Sequence, residues 1–532
     1  VRRIVWVVLV GLAAGPASAA DVLVVCPPEF RPALKPWVRD RSSRGHTFAW
    51  IGNEGTAEDV RDRIRKAAGS SGRARFLVLV GDADPAMKDD PAVRARSVPT
   101  HFAAAKANLP WSRDRDIATD NWYADLDDDQ LPDLAVGRLP VDTPAELATV
   151  VRKILDYERN TDFGAWRRRI SFVACPGDFG GVIDSVIEQG ARRLTTEGIP
   201  PSYATTAMYG HWRSPYCPDP RRFCEEALGR INEGALFWVY IGHGHCRTVD
   251  HVTLPDRTAH PILRYDDVRT LECRSGQPIA VFLACHTGRF DDPEDSIAEE
   301  MLRTPGAPVA IVAATRVTMP YAMTVMGGEL MRGYFEQRIE TIGELVREAK
   351  RQMVLRPRDT ASARVLDALA VALNPRSPNP ALERMEHVLL FHLIGDPTMR
   401  LPHAEEAKIE SPGRATAGAE LVVHCESPLA GTCVVELAPP RDKLPFQPPV
   451  RRRFSPSEEL LGELHETYRR ANETVLASTV LDVDAGPFEA TLQVPLTHTG
   501  AGHVRVYIEG RTGYALGSKD VWIEKGSTSE AP

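Results

Sequence analysis

The chain has no long run of Lys or Arg and no interleaving of basic with aromatic residues, the pattern by which proteins neutralise phosphate backbones. Acidic residues outnumber Lys plus Arg by 72 to 64, giving a formal net charge of −8. Both facts argue against nucleic acid as a partner. Beyond the first twenty residues no segment is long and apolar enough to span a bilayer, which takes about 20 residues, so no transmembrane span is expected. Well-spaced zinc ligands are missing too. Only "HGHC" offers three candidate donors together, and His243, His245 and Cys246 stand too close in sequence to match common ligand spacings. An even cysteine count is also lacking: nine cysteines leave at least one thiol without an intramolecular partner.

What is present begins with length. A chain of 532 residues exceeds what one hydrophobic core usually serves, so several domains are expected. The opening "VRRIVWVVLVGLAAGPASAA" carries Arg2 and Arg3, an apolar stretch from Ile4 to Ala14 and the small-residue pattern Ala17-Ser18-Ala19, the layout of a secretory leader with cleavage after Ala19. Residues 1–19 are read as that leader and the protein as secreted, a compartment that suits nine cysteines. Cys217 with Cys224, Cys425 with Cys433 and Cys246 with Cys273 are candidate pairs, with no connectivity fixed by spacing. Cys26 and Cys175 end apolar runs and can be buried thiols.

From residue 20 to about 160, short apolar runs alternate with helical segments, as in a parallel sheet flanked by helices. "TPAELATVVRKILDYERN" reads as a helix with Thr143 at the N-cap, Pro144 at N1 and Glu146 at N3. A second α/β unit, residues 161–403, repeats the pattern: "ALFWVYIG", "PIAVFLAC", "PVAIVAA" and "HVLLFHLIGDP" are continuous apolar runs, typical of strands buried on both faces. "VLVVCPPEF" and "SFVACPGDF" look alike and hint at two related units. From 404 to 526 apolar and polar residues alternate between Gly/Pro-rich turns, as in an antiparallel sandwich, interrupted by the charged helical insertion "SPSEELLGELHETYRRANETVLAST". Residues 527–532 read as a tail.

Ligand sites in open parallel sheets lie beyond the carboxyl ends of the strands. His243 follows "ALFWVYIG" and Cys285 follows "PIAVFLA". If those strands are neighbours, thiol and imidazole face each other, the arrangement nucleophilic catalysis needs. Gly244 lets the backbone turn and presents an N–H, and with the Cys285 amide it could hold an oxyanion, worth about 3 kcal/mol per donor. A nearby imidazolium would lower the thiol pKa. A helix is expected to start near Asp295. The plainer alternatives are an inert cysteine at a strand end and a simple His-Gly turn.

"YIGHGH", followed by "ACHTGRFDDPEDSIAEEML", resembles the gingipain-type cysteine peptidases, the C25 group of the caspase-like clan. "DNWYADLDDDQLPDLAVGRLPV" and "LIGDPTMRLP" match the same family in the same order, and the resemblance covers roughly Asp21 to Pro402. It implies two caspase-like parallel-sheet subdomains followed by an immunoglobulin-like sandwich, with His243 the catalytic histidine, Cys285 the nucleophile, and Gly244 with the Cys285 amide the oxyanion hole. It implies peptide or protein substrates. An acidic group orienting the histidine has no motif here, and His245 with Cys246 departs from the family's small or polar residue after His-Gly. Relatives that cut after Arg or Lys need an acidic pocket, for which Asp178 and Asp184 are placed only by location.

Asp125, Asp127, Asp129 and Asp133 in "DLDDDQLPD" resemble the first half of a calcium loop. Gln130 stands where an EF-hand has Gly, and Val136 where it has Glu. Because the family binds calcium, a structural calcium in an irregular loop is expected, against the alternative of a solvated acidic turn. Three rival functions remain: a sorting transpeptidase of the same family, a non-catalytic adhesion protein, and metal-dependent hydrolysis through His243, His245 and Cys246.

Overall fold

A computed structural model describes residues 20–109, 112–176, 198–355 and 379–526. The expected leader, the tail, Asp178 and Asp184 lie outside the described residues. Ten apolar runs form the strands of one sheet: β1 (Val22–Val25), β2 (Phe48–Ile51), β3 (Phe76–Val80), β4 (Ala135–Leu139), β5 (Arg169–Ala174), β6 (Ala204–Tyr209), β7 (Phe237–Ile241), β8 (Ile279–Leu283), β9 (Ala310–Ala314) and β10 (Phe391–Ile394). Their order across the sheet is β2-β1-β3-β4-β10-β9-β8-β7-β5-β6. β10 pairs parallel with β4 and antiparallel with β9. All other neighbours are parallel, so the two halves of the sheet run in opposite directions.

Each half repeats one order, second-first-third-fourth strand. The two look-alike segments are the first strands of the two halves, with Cys26 and Cys175 just past their ends. The inner strands are buried along their whole length, because helices cover both faces and leave no side for polar residues. Two of those helices start where the cap chemistry places them. Thr56 and Asp59 form a capping box before Ala57–Ser71, and Thr143 and Glu146 one before Pro144–Arg159. Each box satisfies backbone N–H groups that a helix start leaves open.

At the join, Arg138 on β4 is buried and pairs through Nε and Nη2 with both oxygens of Asp120, at 2.7 and 2.8 Å. Its Nη1 donates to the carbonyls of Gly81 and Val98, both at 3.0 Å. Its own carbonyl accepts from the Gly395 amide just past β10, at 2.8 Å. One side chain thus ties three segments to the strand that meets β10.

After Leu401 the chain forms the expected β-rich module. A sheet holding Gly431–Ala438, Ala477–Val483, Gly500–Gly510 and Tyr514–Glu524 faces a smaller one of Lys408–Glu410, Glu420–Ser427 and Gly486–Gln493. Val435, Val506 and Leu492 belong to the shared apolar core. The helical insertion is Glu458–Asn472, started by the Ser457 hydroxyl, which accepts from the Leu460 amide. It lies along edge strand β6, where Asn472 exchanges hydrogen bonds with the Ala207 N–H and C=O at 2.6 and 3.1 Å. All nine cysteines are free thiols. None of the three candidate pairs is joined: Cys224 instead faces Asp267 at 3.3 Å, and Cys425 and Cys433 lie on opposite sheets of the module. Among the described residues no helix is long and apolar enough to cross a membrane.

Candidate active site

Strands β7 and β8 are parallel neighbours, and their register pairs Ile241 with Leu283. The ladder ends with the Gly242 amide donating to the Leu283 carbonyl at 3.3 Å. His243 and Cys285 each stand two residues beyond that last pair, so both leave the sheet at the same edge, from adjacent strands. Both are half-buried. Their two loops touch. A Cβ on Gly244 would lie 2.4 Å from the Cys285 carbonyl oxygen and 2.8 Å from Thr287 Cγ2, so glycine is the residue that lets the His243 loop settle on the Cys285 backbone.

The His243 loop is a tight turn, which answers the question its composition raises. Gly244 bridges to Val249, and the His245 amide donates to the Thr248 carbonyl at 2.8 Å. His245 is exposed, whereas Cys246 directs its thiol to the Glu294 carbonyl at 3.7 Å and is pushed up to about 12 by burial. His243, His245 and Cys246 do not gather into a metal-binding group among the described residues. From beneath, the buried Tyr240 hydroxyl donates to the His243 carbonyl at 2.8 Å and accepts from the Asp250 amide at 3.2 Å. One phenol therefore fixes both ends of the turn.

Around Cys285 the decisive neighbour is Thr318, which the sequence did not single out. Its amide donates to Cys285 Sγ at 3.3 Å, its carbonyl accepts from the thiol at 3.7 Å, and its hydroxyl stands 3.6 Å away. Burial raises the Cys285 thiol, with the Thr318 amide and hydroxyl pulling it back. Desolvation, which penalises the thiolate, is the largest influence on this thiol and runs opposite to the lowering expected from a neighbouring imidazolium. The next residue, Met319, donates its amide to His387 Nε2 at 2.8 Å, while His387 Nδ1 meets the Glu383 carbonyl at 2.7 Å. Accepting at Nε2 leaves the ring proton on Nδ1. Burial lowers this histidine to about 4, consistent with a neutral ring that anchors the Thr318 loop.

His286 follows Cys285 with a φ of 56°, and its amide donates to the Arg316 carbonyl at 3.2 Å. Its Nε2 lies 3.9 Å from Asp114, and burial lowers it to about 4. Arg316 pairs with Asp291 and donates through Nε to the Asp116 carbonyl at 3.0 Å, while the Thr315 hydroxyl donates to the Ala118 carbonyl at 2.9 Å. The segment Asp116–Thr119 of the first half thus braces the loops around Cys285. The helix after them is capped by Ser296 and runs Ile297–Arg303, two residues later than its expected start near Asp295.

In the acidic loop, Asp125, Asp127 and Asp133 bring carboxylate oxygens within 4.8 Å of one another. Asp129 stands outside that group, because its Oδ1 accepts from the Leu131 amide at 2.7 Å. Asp128 and Gln130 adopt positive φ, 67° and 71°, and their amides turn inward to both oxygens of Asp125 at 2.8 and 3.0 Å. Burial raises Asp125, as expected for a carboxylate held among others. A second group unmarked in the sequence, Asp82 with Asp295 and Glu299, also offers an oxygen-only donor set.

A cysteine and a histidine thus leave neighbouring strand ends of a doubled, caspase-like parallel sheet. Residues 16–402 match the profile of peptidase family C25. Lys-gingipain of Porphyromonas gingivalis is 22% identical over 292 residues, covering 53% of this chain and 15% of that protein. Lys-gingipain 381 of the same organism matches to the same extent. The chain thus spans 15% of the length of these curated relatives. Among solved structures, the Arg-specific cysteine proteinase gingipain R shares the fold with a TM-score of 0.51 at 15% identity, over 95% of this chain and 98% of that one. The complex of Porphyromonas gingivalis RgpB pro- and mature domains gives 0.51 at 15% identity, over 95% and 100%. The chain belongs to peptidase family C25.

Proposed function

We propose that this protein is a secreted cysteine endopeptidase that hydrolyses peptide bonds of protein substrates through Cys285 and His243. The observation that carries this is the register pairing Ile241 with Leu283, which brings the two residues off adjacent strands in step. Because burial raises the Cys285 thiol, it rests protonated, and His243 takes its proton as sulfur attacks the scissile carbonyl. The Gly244 and Cys285 amides hold the oxyanion. His243 then gives the proton to the departing amine, leaving a thioester, and finally draws a proton from the water that hydrolyses it. Secretion is supported by the leader-like residues 1–19.

Calcium fits the loop at Asp125, Asp127 and Asp133: the donors are all carboxylate oxygens, as a hard cation requires, and one of them is partly desolvated. Bound there it would supply local charge neutralisation.

Wild-type protein and Cys285→Ala, screened side by side on a peptide library, test the main reading. Cleavage should fall by at least about a thousandfold in the variant, and His243→Ala should cost roughly 10²–10⁴. Equal cleavage by wild type and Cys285→Ala would refute it.

A further inference from the structure

His101–Ala104 pairs antiparallel with Asp116–Thr119, making a hairpin of the first half. The tip of this hairpin crosses to the second half and meets the Cys285 pocket on two sides. On one leg the Asn108 side-chain amide donates to the carbonyl of Val317. Val317 precedes Thr318, whose own amide donates to Cys285 Sγ at 3.3 Å. On the other leg Asp114 lies 3.9 Å from Nε2 of His286, the residue after Cys285.

The tip is clamped. Glu386, in the helix Pro380–Leu390, is only 4% exposed and accepts from three successive backbone amides. One of its oxygens takes Lys106 and Ala107 at 2.5 and 2.7 Å, the other takes Asn108 at 3.0 Å. Hydrogen bonds to an ionised acceptor are the strong kind, so a buried carboxylate is spent entirely on fixing this short run of backbone. The next residue of the same helix, His387, accepts from the Met319 amide at 2.8 Å. One turn of helix therefore sets the hairpin tip and the Thr318 loop at a constant separation.

Leu109 directly follows the clamped residues and is 43% exposed. Single exposed leucines are ordinary; this one is distinguished by its place. Its backbone is fixed by the three amides before it, so the side chain stays at the rim of the pocket, and its apolar surface leaves water only when another apolar group covers it. The path from Leu109 through Asn108, Val317 and Thr318 to the Cys285 sulfur is no longer than about four residues of extended chain. We infer that Leu109 is a specificity-determining residue that receives an apolar side chain of the substrate close to the bond Cys285 attacks. The inference rests on the peptidase reading and adds a substrate class to it: chains with an apolar residue near the scissile bond.

The test compares cleavage of a peptide library by wild type, Leu109→Ser, Leu109→Met and Cys285→Ala, varying each position within about four residues of the scissile bond. At one of them wild type should favour Leu or Phe over Ser by about tenfold in kcat/KM, the gain from covering roughly 50 Å² of apolar surface. Leu109→Ser should bring that ratio close to one while cutting peptides with Gly at the same position as fast as wild type does. Leu109→Met should retain the preference. Since the side chain is exposed, the melting temperature of Leu109→Ser should match that of wild type. Cys285-dependent cleavage with no apolar preference at any of these positions, or with a preference that survives in Leu109→Ser, would overturn this inference alone. Cleavage undiminished in Cys285→Ala would bring down the peptidase reading and this inference with it.

Discussion

A methyl group on Gly244 would collide with the Cys285 carbonyl, so relief requires the His243 loop to lift away from its neighbour. Displacements of about an ångström near reacting groups cost roughly a hundredfold. Gly244→Ala is therefore expected to lose about that much kcat/KM while its far-UV circular dichroism stays native; steady-state kinetics on a cleaved library peptide would check it. His387 makes a second prediction. Its pKa is near 6.5 when unfolded and about 4 when buried in the fold, so the unfolded chain takes up a proton first as pH falls. Its neutral form thus contributes stability that is complete above about pH 6.5 and drains away towards pH 4. His387→Gln should flatten that part of the melting-temperature profile against pH, and its looser Thr318 loop should lower kcat more than it raises KM.

Single elements behaved as their local chemistry dictates. The helices capped by Thr56 and Thr143 start where hydroxyl and carboxyl partners lie three residues apart, information carried within one turn. The strand ends bearing His243 and Cys285 were equally legible, because each follows an uninterrupted apolar run. Thr318 and His387 were not. They reach the site by contacts across 33 and 68 residues, and nothing in "RVTMPYAM" or "MEHVLLF" marks which atoms will meet. Asp129 lies outside the cluster of Asp125, Asp127 and Asp133 for a similar reason, since only the turn geometry decides which carboxylates converge. For the acidic loop, adding calcium to chelator-treated protein should raise the melting temperature, and Asp125→Asn should abolish most of that rise. Asp129→Asn, outside the cluster, should leave it nearly intact. An unchanged melt with calcium would remove the ion from the account.

The molecule as a whole hangs on the join between two oppositely directed half-sheets. Arg138 holds Asp120 there with both partners buried, and removing one partner from such a pair strands a charge at roughly 3–5 kcal/mol. Arg138→Met should lower the unfolding free energy extrapolated from urea denaturation by that amount, and adding Asp120→Asn should recover most of it. The doubled strand order was hinted at by two similar segments, but the reversal between halves was invisible, since it arises only from where β10 inserts.

That insertion has a temporal side. β10 fills the middle of the sheet, yet it is the last of the ten strands to leave a ribosome. A nascent chain can pair β1 to β4 and β5 to β9 as two separate rafts, but they gain their common spine only after Ile394 has emerged. Until then the Asp116–Thr119 brace and the Cys285 loops belong to unjoined bodies, so an emerging chain would carry the Cys285 thiol without its finished surroundings.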